Sequence, residues 1–206
     1  MVKLKKKLLE LFCGTKSVSK ALAEEEFEVI SLDIDPDFEP TICADFMDWD
    51  YTGVEAVDYL WASPDCACYS MASGGTHFGS DKLPKTEKAV KALAILQKLR
   101  QCIDHFQQLN PNLIYFIENP RARMRWFLTD FERYTFTYCQ FGFDRMKPTD
   151  VWSNQCEIES ICCKNGDSCH IRAPRGSYSS TQGLSKMEKY LVPRGLVRYL
   201  FKCDPN

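Results

Sequence analysis

The chain has 206 residues, of which 45% are hydrophobic, and its formal net charge at pH 7 is −2. This composition predicts one compact domain with a real core and excludes an intrinsically disordered chain. No stretch approaches the roughly 20 apolar residues of a membrane span, and the basic run at residues 3–7 leads into a short strand, not a signal-peptide core. We therefore expect an intracellular protein with no membrane partner, acting as a monomer.

Charge is distributed unevenly along the chain. Residues 1–120 carry 12 Lys and Arg against 19 Asp and Glu, whereas residues 121–206 carry 14 against 9. The C-terminal part is therefore able to face a phosphate backbone, which makes a nucleic acid a candidate partner. Chance asymmetry is the alternative interpretation.

Short apolar runs alternate with segments of helical period, and this pattern predicts an α/β fold with a doubly wound, mostly parallel sheet. Strands are predicted at residues 8–12, 28–32, 57–62 and 113–117. Helices are predicted at 17–26, with Ser17 as N-cap, at 86–108, with an apolar core stripe that begins at Val90, and near Pro193. The glycine-rich residues 71–84 predict a mobile loop that could close over a site.

The first two predicted strands end in residues suited to a cofactor. A single-glycine turn follows the first strand, but it lacks the G-x-G-x-x-G fingerprint, which disfavours a dinucleotide. Asp33 ends the second strand, where a carboxylate can accept hydrogen bonds from both ribose hydroxyls of an adenosine-type ligand; Asp45 is placed to accept from an adenine amino group. The candidate cofactor-binding residues are Phe12, Cys13, Gly14, Thr15, Asp33, Ile34, Asp45, Phe46 and Pro64.

Cys66 is a candidate nucleophile. It follows the strand predicted at 57–62, at the edge of the sheet where the ligand should lie, and Pro64 stiffens the turn before it. A metal or redox pair with Cys68 is the alternative, but the spacing is C-x-C and not C-x-x-C, which favours packing for Cys68. Glu118 ends the strand predicted at 113–117 and reaches the same edge, where it contacts a heterocycle or, alternatively, caps a loop.

In this order the motifs resemble those of the DNA cytosine-5 methyltransferases. The motifs are Leu11-Phe12-Cys13-Gly14, Asp33, Asp45, Pro64-Asp65-Cys66-Ala67-Cys68-Tyr69-Ser70 and Glu118-Asn119-Pro120. Residues 147–154 are similar to a segment of the compact forms found in phages and large viruses, and residues 192–201 to the helix that completes the family's cofactor pocket. The resemblance thus spans nearly the whole chain.

The resemblance implies a Rossmann-like class I methyltransferase fold, S-adenosylmethionine as cofactor and DNA as partner. Cys66 would add to C6 of a cytosine flipped out of the duplex, and Glu118 would hydrogen-bond N3 and the exocyclic amine. Arg145 and Lys147 are the nearest basic residues to the family's Gln-x-Arg-x-Arg segment and are the further catalytic candidates. The phage and viral forms imply a bacterial cytoplasm or a virus-infected host cell.

Two departures from the family pattern leave alternatives open. Asp65 stands where proline is common, and its charge would raise the pKa of the Cys66 thiol. The Gln-x-Arg-x-Arg segment has no clean counterpart. An RNA cytosine-5 methyltransferase and a catalytically inactive DNA-binding relative are therefore the alternatives. An amino-group methyltransferase is disfavoured, because its Pro-Pro-aromatic segment is missing.

The chain is predicted to consist of a catalytic core at 1–154, a Cys-rich insertion resembling a small target-recognition unit at 155–187, and a C-terminal helix at 188–206 that returns to the core. All eleven cysteines are expected to be reduced. A structural zinc site is predicted in the insertion, with free thiols as the alternative. Its predicted ligands are Cys156, Cys162, Cys169 and His170.

Overall fold

The computed structural model describes residues 4–22, 24, 26–173 and 181–202, and within these ranges seven strands form one sheet. The sheet order is β3-β2-β1-β4-β5-β7-β6; β1 to β5 are mutually parallel, and β7 is antiparallel to both of its neighbours. The strands are β1 Lys6–Leu11, β2 Phe27–Asp33, β3 Ile42–Cys43, β4 Tyr59–Ala62, β5 Ile114–Pro120, β6 Arg133–Thr137 and β7 Pro148–Ser153. The predicted mostly parallel α/β fold is confirmed.

Both faces of the sheet are buried. Successive side chains of a strand point to opposite faces, so Leu9 and Leu11 join one hydrophobic cluster whereas Leu8 joins the other. This explains why the four predicted strands appear as continuous apolar runs, as is typical of parallel strands covered on both sides. All four are confirmed as β1, β2, β4 and β5.

Three α-helices are present in the described ranges: α1 Glu87–Leu109, α2 Lys186–Tyr190 and α3 Arg194–Leu200. α1 contributes to the cluster on one face of the sheet and α3 to the cluster on the other, which makes the sheet doubly wound. Thr86 caps α1 by accepting a hydrogen bond from the Ala89 amide at 3.2 Å. None of the helices in these ranges is long and apolar enough to cross a membrane.

The apolar stripe of α1 begins one residue earlier than predicted. Ala89 is fully buried and the stripe continues through Leu96 and Leu99, whereas Val90 is 56% exposed. One residue turns the helix by about 100°, which moves Val90 off the face that packs against the sheet.

The helix predicted at 17–26 is wrong for the described part of that segment, which forms only a 3₁₀ turn at Ser19–Ala21. Ser17 does not cap it; its Oγ accepts a hydrogen bond from the Val192 amide at 3.1 Å. The Ser19 amide donates to the Glu10 carboxylate at 3.3 Å. Bonds to distant parts of the chain therefore replace the local bonds that a helix needs.

Strands β6 and β7 were not predicted. In β7 the apolar pattern is interrupted by polar residues that are nevertheless buried. Asp150 lies in β7 with no exposed surface. Its two carboxylate oxygens accept hydrogen bonds from Arg125 Nε at 2.5 Å and Nη2 at 2.6 Å, and Thr135 Oγ1 donates at 2.8 Å. A buried carboxylate is tolerated when it is paired in this way.

The division of the chain into units at 154/155 and 187/188 stays a prediction. The last strand ends at Ser153, beside the first of these positions, whereas α2 spans the second. The loop at 71–84 contains a short 3₁₀ turn, Met71–Ser73, and is anchored by Phe78, whose buried ring stacks on Tyr69. Its closure over a site likewise stays a prediction.

Candidate active site

A cavity of about 350 Å³ lies at the carboxyl ends of β1, β2, β4 and β5. Ligands of open α/β sheets bind at this edge, and the volume suits a small ligand. The cavity wall contains these predicted site residues: Phe12, Cys13, Gly14, Asp33, Ile34, Pro64, Cys66, Glu118 and Lys147. Candidate cofactor-binding and catalytic residues thus share one space.

The turn after β1 has an unusual backbone. Phe12 has φ +57° and Gly14 has φ +47°, and a left-handed conformation is costly for an aromatic residue. Asp33 holds the turn by accepting hydrogen bonds from the Gly14 amide at 2.8 Å and the Asp35 amide at 3.0 Å. A carboxylate can accept about four hydrogen bonds, so Asp33 keeps capacity for hydroxyl groups of a ligand.

Three predicted cofactor contacts, Thr15, Asp45 and Phe46, do not line the cavity. Asp45 accepts hydrogen bonds from the Met47 amide and from Lys91 Nζ, both at 2.9 Å, and these two partners lower the pKa of its carboxyl. Phe46 is buried behind Phe12, with ring centroids 5.0 Å apart. Phe46 therefore packs behind a wall residue, and Asp45 lies outside the cavity.

Cys66 lies in the cavity on the loop that follows β4. Asn119 Nδ2, at the end of β5, donates a 2.8 Å hydrogen bond to the Pro64 carbonyl and so fixes this loop. Burial, followed by the charges of Asp65 and Glu118, raises the pKa of the Cys66 thiol to about 11, while Lys147 acts in the opposite direction. Cys68 is buried in the core, as expected for a packing residue.

Glu118 is buried at the cavity wall, and its Oε1 accepts a 2.8 Å hydrogen bond from Tyr138 Oη. Burial and the neighbouring carboxylate raise the pKa of Tyr138 well above its usual value, so the phenol acts as a donor. The Tyr138 hydroxyl therefore holds the Glu118 carboxylate in place.

Lys147 reaches the cavity, whereas Arg145 does not. The Lys147 ammonium lies 4.4 Å from the centroid of the Tyr138 ring and donates to the carbonyls of Lys189 at 2.7 Å and Leu191 at 3.1 Å. Burial lowers the pKa of Lys147, and the charges of Glu118 and Cys66 oppose that effect. Arg145 Nη1 instead donates to the Arg172 carbonyl at 3.3 Å, which directs it into the Cys-rich segment.

Glu10 is a cavity residue that the sequence analysis missed. It is the next-to-last residue of β1, is 1% exposed and lines the cavity. Burial raises the pKa of its carboxyl to about 7, although hydrogen bonds from Ser19 and the Val18 amide oppose the shift. An acidic residue inside an otherwise apolar strand was the available signal.

The C-terminal segment forms one side of the cavity, and of its lining residues the sequence analysis indicated only Val192. The residues concerned are Lys186, Lys189, Tyr190 and Val192. They are about 70 residues beyond Glu118 in the chain, and no local pattern brings them to the site. The resemblance of residues 192–201 to the family's terminal helix was the only indication.

The predicted zinc ligands are corrected in two of four positions. Cys169 and His170 do lie together, but their companions are Cys139 and Cys163, and the four ligand atoms lie within 4.8 Å of one another. Cys162 Sγ is turned toward the Thr135 carbonyl, at 3.2 Å. Residues 161–163 run beside β6, where neighbouring side chains alternate in direction, so Cys162 and Cys163 point to different sides. Cys156 is exposed and outside the cluster.

Fold and cavity together define the class: an α/β protein with a ligand cavity at the carboxyl ends of its strands and a cysteine thiol inside it. No family model matches the chain. A curated relative, the "Probable DNA (cytosine-5)-methyltransferase" of Frog virus 3 (isolate Goorha), is 26% identical over 217 residues, which cover 93% of this chain and 96% of the relative. The chain is thus similar to this relative over nearly the whole length of both proteins.

Two solved structures match part of the chain. The methyltransferase EhMeth of Entamoeba histolytica has a TM-score of 0.47 at 12% identity, and the match covers 79% of this chain and 58% of EhMeth. The Dnmt2 methyltransferase of S. pombe has a TM-score of 0.41 at 14% identity, with 73% of this chain and 49% of Dnmt2 covered.

Proposed function

We propose that this protein transfers a methyl group from S-adenosylmethionine to C5 of cytosine in DNA, with Cys66 as the nucleophile. The observation that carries the proposal is that Cys66 and Glu118 line one cavity together with Asp33, which is suited to a ribose. The name of the Frog virus 3 relative supports DNA as the substrate and an infected host cell as the setting.

The cavity fits the cofactor. Asp33 retains hydrogen-bonding capacity at the end of β2, and no donor among the described residues reaches the buried Oδ1 of Asn119, which also lines the cavity. We assign the adenosine part to the side formed by Phe12, Gly14 and Asp33. The cofactor, when bound, supplies an electrophilic methyl group.

Cys66 activates the cytosine. Addition of its thiolate to C6 moves the C5–C6 π electrons toward C5, which makes C5 nucleophilic. Once C5 carries the methyl group, the C5 proton leaves to water and the electron pair that it releases expels the Cys66 sulfur, restoring the ring. At pH 8 a thiol of pKa about 11 is ionised in only about one molecule in a thousand, so the reaction is expected to be slow.

Glu118 and Lys147 supply the electrostatics. Negative charge develops on the ring as sulfur adds. Glu118 donates a proton to N3, which neutralises this charge, accepts a hydrogen bond from the exocyclic amine, and takes the proton back when the sulfur leaves. Lys147 is the cation that faces both Cys66 and Glu118, and its charge favours the thiolate. We therefore assign to Lys147 the charge-stabilising role for which Arg145 was the other candidate.

The target base must leave the duplex, because C5 and C6 are inaccessible while it is stacked. Lys186 and Lys189 lie at the cavity wall and are suited to contact the phosphates beside a flipped nucleotide. Residues 71–84 follow the Cys66 loop directly and are the segment that we expect to close behind the base.

Trapping of the covalent adduct tests the proposal. The full chain is incubated with labelled cofactor and DNA that contains 5-fluorocytosine. The last step normally removes the C5 proton, and a fluorine atom at C5 cannot be removed in this way, so the covalent adduct accumulates. We expect a protein–DNA adduct that is stable to denaturation and is lost in Cys66→Ser. Cys68→Ala is the matched control, since Cys68 is two residues away but buried in the core, and it should retain the adduct.

Other outcomes point elsewhere. An adduct formed with RNA alone would replace DNA by RNA as the substrate. Cofactor binding without an adduct on either nucleic acid would identify an inactive relative, and an adduct that persists in Cys66→Ser would remove Cys66 from the mechanism.

A further inference from the structure

Four side chains that bind metals converge beside the end of β6, outside the cavity. Cys139 Sγ lies 3.2 Å from Cys163 Sγ and 3.7 Å from Cys169 Sγ. His170 Nδ1 lies 3.6 Å from Cys163 Sγ and 3.4 Å from Cys169 Sγ. Tetrahedral zinc, with Zn–S bonds of about 2.3 Å and Zn–N bonds of about 2.0–2.1 Å, holds its ligand atoms about 3.5–3.8 Å apart. Four of the six distances between the ligand atoms are therefore close to those in a zinc site, and the other two are within 4.8 Å.

We propose that Cys139, Cys163, Cys169 and His170 bind one structural Zn²⁺. Four protein ligands leave no open coordination position, which a catalytic zinc would need. Three thiolates and an imidazole favour zinc over Mg²⁺ or Ca²⁺, which prefer oxygen ligands. Gln140 Nε2 donates to Cys169 Sγ at 3.2 Å, and such outer hydrogen bonds orient metal ligands.

Backbone hydrogen bonds bring the ligands together from both sides of the site. The Thr137 amide donates to the Ile161 carbonyl at 3.0 Å, and the Cys163 amide donates to Thr137 Oγ1 at 2.9 Å. Farther along, the Ile171 amide donates to the Asp144 carbonyl at 2.8 Å. Cys139 therefore comes from the sheet domain, and the other three ligands come from the Cys-rich segment docked against it.

The Cys-rich segment needs such a link, because it has little core of its own. Among residues 155–173, Ile158 is the only apolar side chain that is buried. Small segments with so little burial are commonly held by a metal or by disulfides. A zinc ion would fasten this segment to the sheet through Cys139.

The site also adjoins the active site through the chain itself. Cys139 directly follows Tyr138 in the turn Tyr138–Phe141, and Tyr138 Oη donates to Glu118. Zinc binding would therefore fix the turn that presents Tyr138. This consequence rests on the proposed function, whereas the metal site itself does not.

Metal analysis of the full chain tests the site. Protein purified under reducing conditions from zinc-supplemented medium should contain about one zinc per chain, and Cys169→Ser and His170→Gln should lose most of it. Cys156→Ser and Cys162→Ser are matched controls, because these exposed cysteines belong to the same segment but not to the cluster. Replacement by Co²⁺ should give the visible absorption of a tetrahedral thiolate site in the wild type and both controls.

Folded wild-type protein without zinc, and with its thiols free, would overturn the proposal, as would equal zinc loss in the control and ligand variants. If the ligand variants do not fold, zinc is instead released from the wild type with a thiol reagent and a chelator. The proposal expects that one zinc per chain is released and that the Tm falls. If no zinc is released, the proposal is contradicted. Full zinc content without methyl transfer would leave the metal site standing and contradict the proposed function alone.

Discussion

Tyr138 Oη donates a 2.8 Å hydrogen bond to Glu118 Oε1, and both side chains are buried. Glu118 belongs to β5, whereas Tyr138 follows β6 at the edge of the sheet, and β7 lies between the two strands. The bond therefore spans a neighbouring strand and uses one carboxylate oxygen, leaving the other available to a ligand in the cavity.

Tyr138→Phe tests this relationship. A hydrogen bond to a charged group contributes about 1.5–3 kcal/mol. Its loss should lower the free energy of unfolding by about 1.5–3 kcal/mol. Because Glu118 is then less well positioned, kcat should fall about ten- to a hundredfold. Single-turnover methylation and urea unfolding measure the two effects. Tyr134→Phe is the control, because Tyr134 lies on β6 outside the cavity and its hydroxyl makes a 3.5 Å contact with the Gln155 carbonyl. Unchanged kcat in Tyr138→Phe would remove Tyr138 from the positioning of Glu118.

Asp65→Asn should accelerate adduct formation. The negative charge of Asp65 raises the pKa of the Cys66 thiol, so removing it lowers that pKa and increases the thiolate fraction at any pH below about 11. Asparagine keeps the oxygen that accepts from the Ala67 amide at 3.0 Å. Because the Asp65 side chain is 61% exposed, we expect only a few-fold gain at pH 8, declining at high salt. Rates of 5-fluorocytosine trapping from pH 7 to 9 measure it, and an unchanged or slower rate would contradict it.

Glu10→Gln should change how stability depends on pH. Burial raises the carboxyl pKa from 4.5 to about 7, so the folded state binds a proton more tightly than the unfolded state does. The stabilising contribution of Glu10 is therefore complete below about pH 4.5 and is lost as pH rises through about 7. The wild type should lose about 3 kcal/mol across this window relative to Glu10→Gln. Urea unfolding of both proteins at pH 5 and pH 8 measures the difference, and parallel pH profiles would contradict it.

Asp150→Asn should destabilise the fold without a specific effect on chemistry. Asp150 is fully buried and paired with Arg125, and breaking a buried pair costs about 3–5 kcal/mol. Asp130→Asn is the matched control, since Asp130 pairs with Arg100 but its side chain is 59% exposed, so its loss should cost less than about 1 kcal/mol. Thermal unfolding and methylation at low temperature distinguish the two effects. Loss of activity in well-folded Asp150→Asn would instead place Asp150 in the site.

The sequence predicted the fold where burial is apolar and failed where it is polar. Strands β1, β2, β4 and β5 were predicted, because parallel strands covered on both faces appear as apolar runs. β7 was missed because Asp150 is as buried as its apolar neighbours, and only its contact with Arg125, 25 residues away, explains this. The helix predicted at 17–26 failed for a related reason, since Ser17 is bonded to Val192 at the other end of the chain.

Those residues of the candidate site that lie at or near the end of a strand could be predicted from the sequence. Asp33 is the last residue of β2, Cys66 follows β4 and Glu118 lies near the end of β5, and all three line the cavity. Arg145 and Lys147 are close in sequence, yet only Lys147 reaches the cavity, a difference that depends on backbone direction in a turn where Lys147 has φ +28°. The metal cluster shows the same limit, because Cys139 lies outside the segment whose composition suggested a metal.

The residues that line the cavity are far apart in the sequence, from Glu10 to Val192. The Val192 amide also donates a hydrogen bond to Ser17 Oγ. Lys147 fastens the same late segment through the carbonyls of Lys189 and Leu191. During translation, therefore, a nascent chain that already carries Cys66 and Glu118 still lacks one side of its pocket. On the proposed function, the cofactor pocket is complete only once residue 192 has emerged from the ribosome, so a product that stops short of this residue would hold Cys66 but lack one side of the pocket.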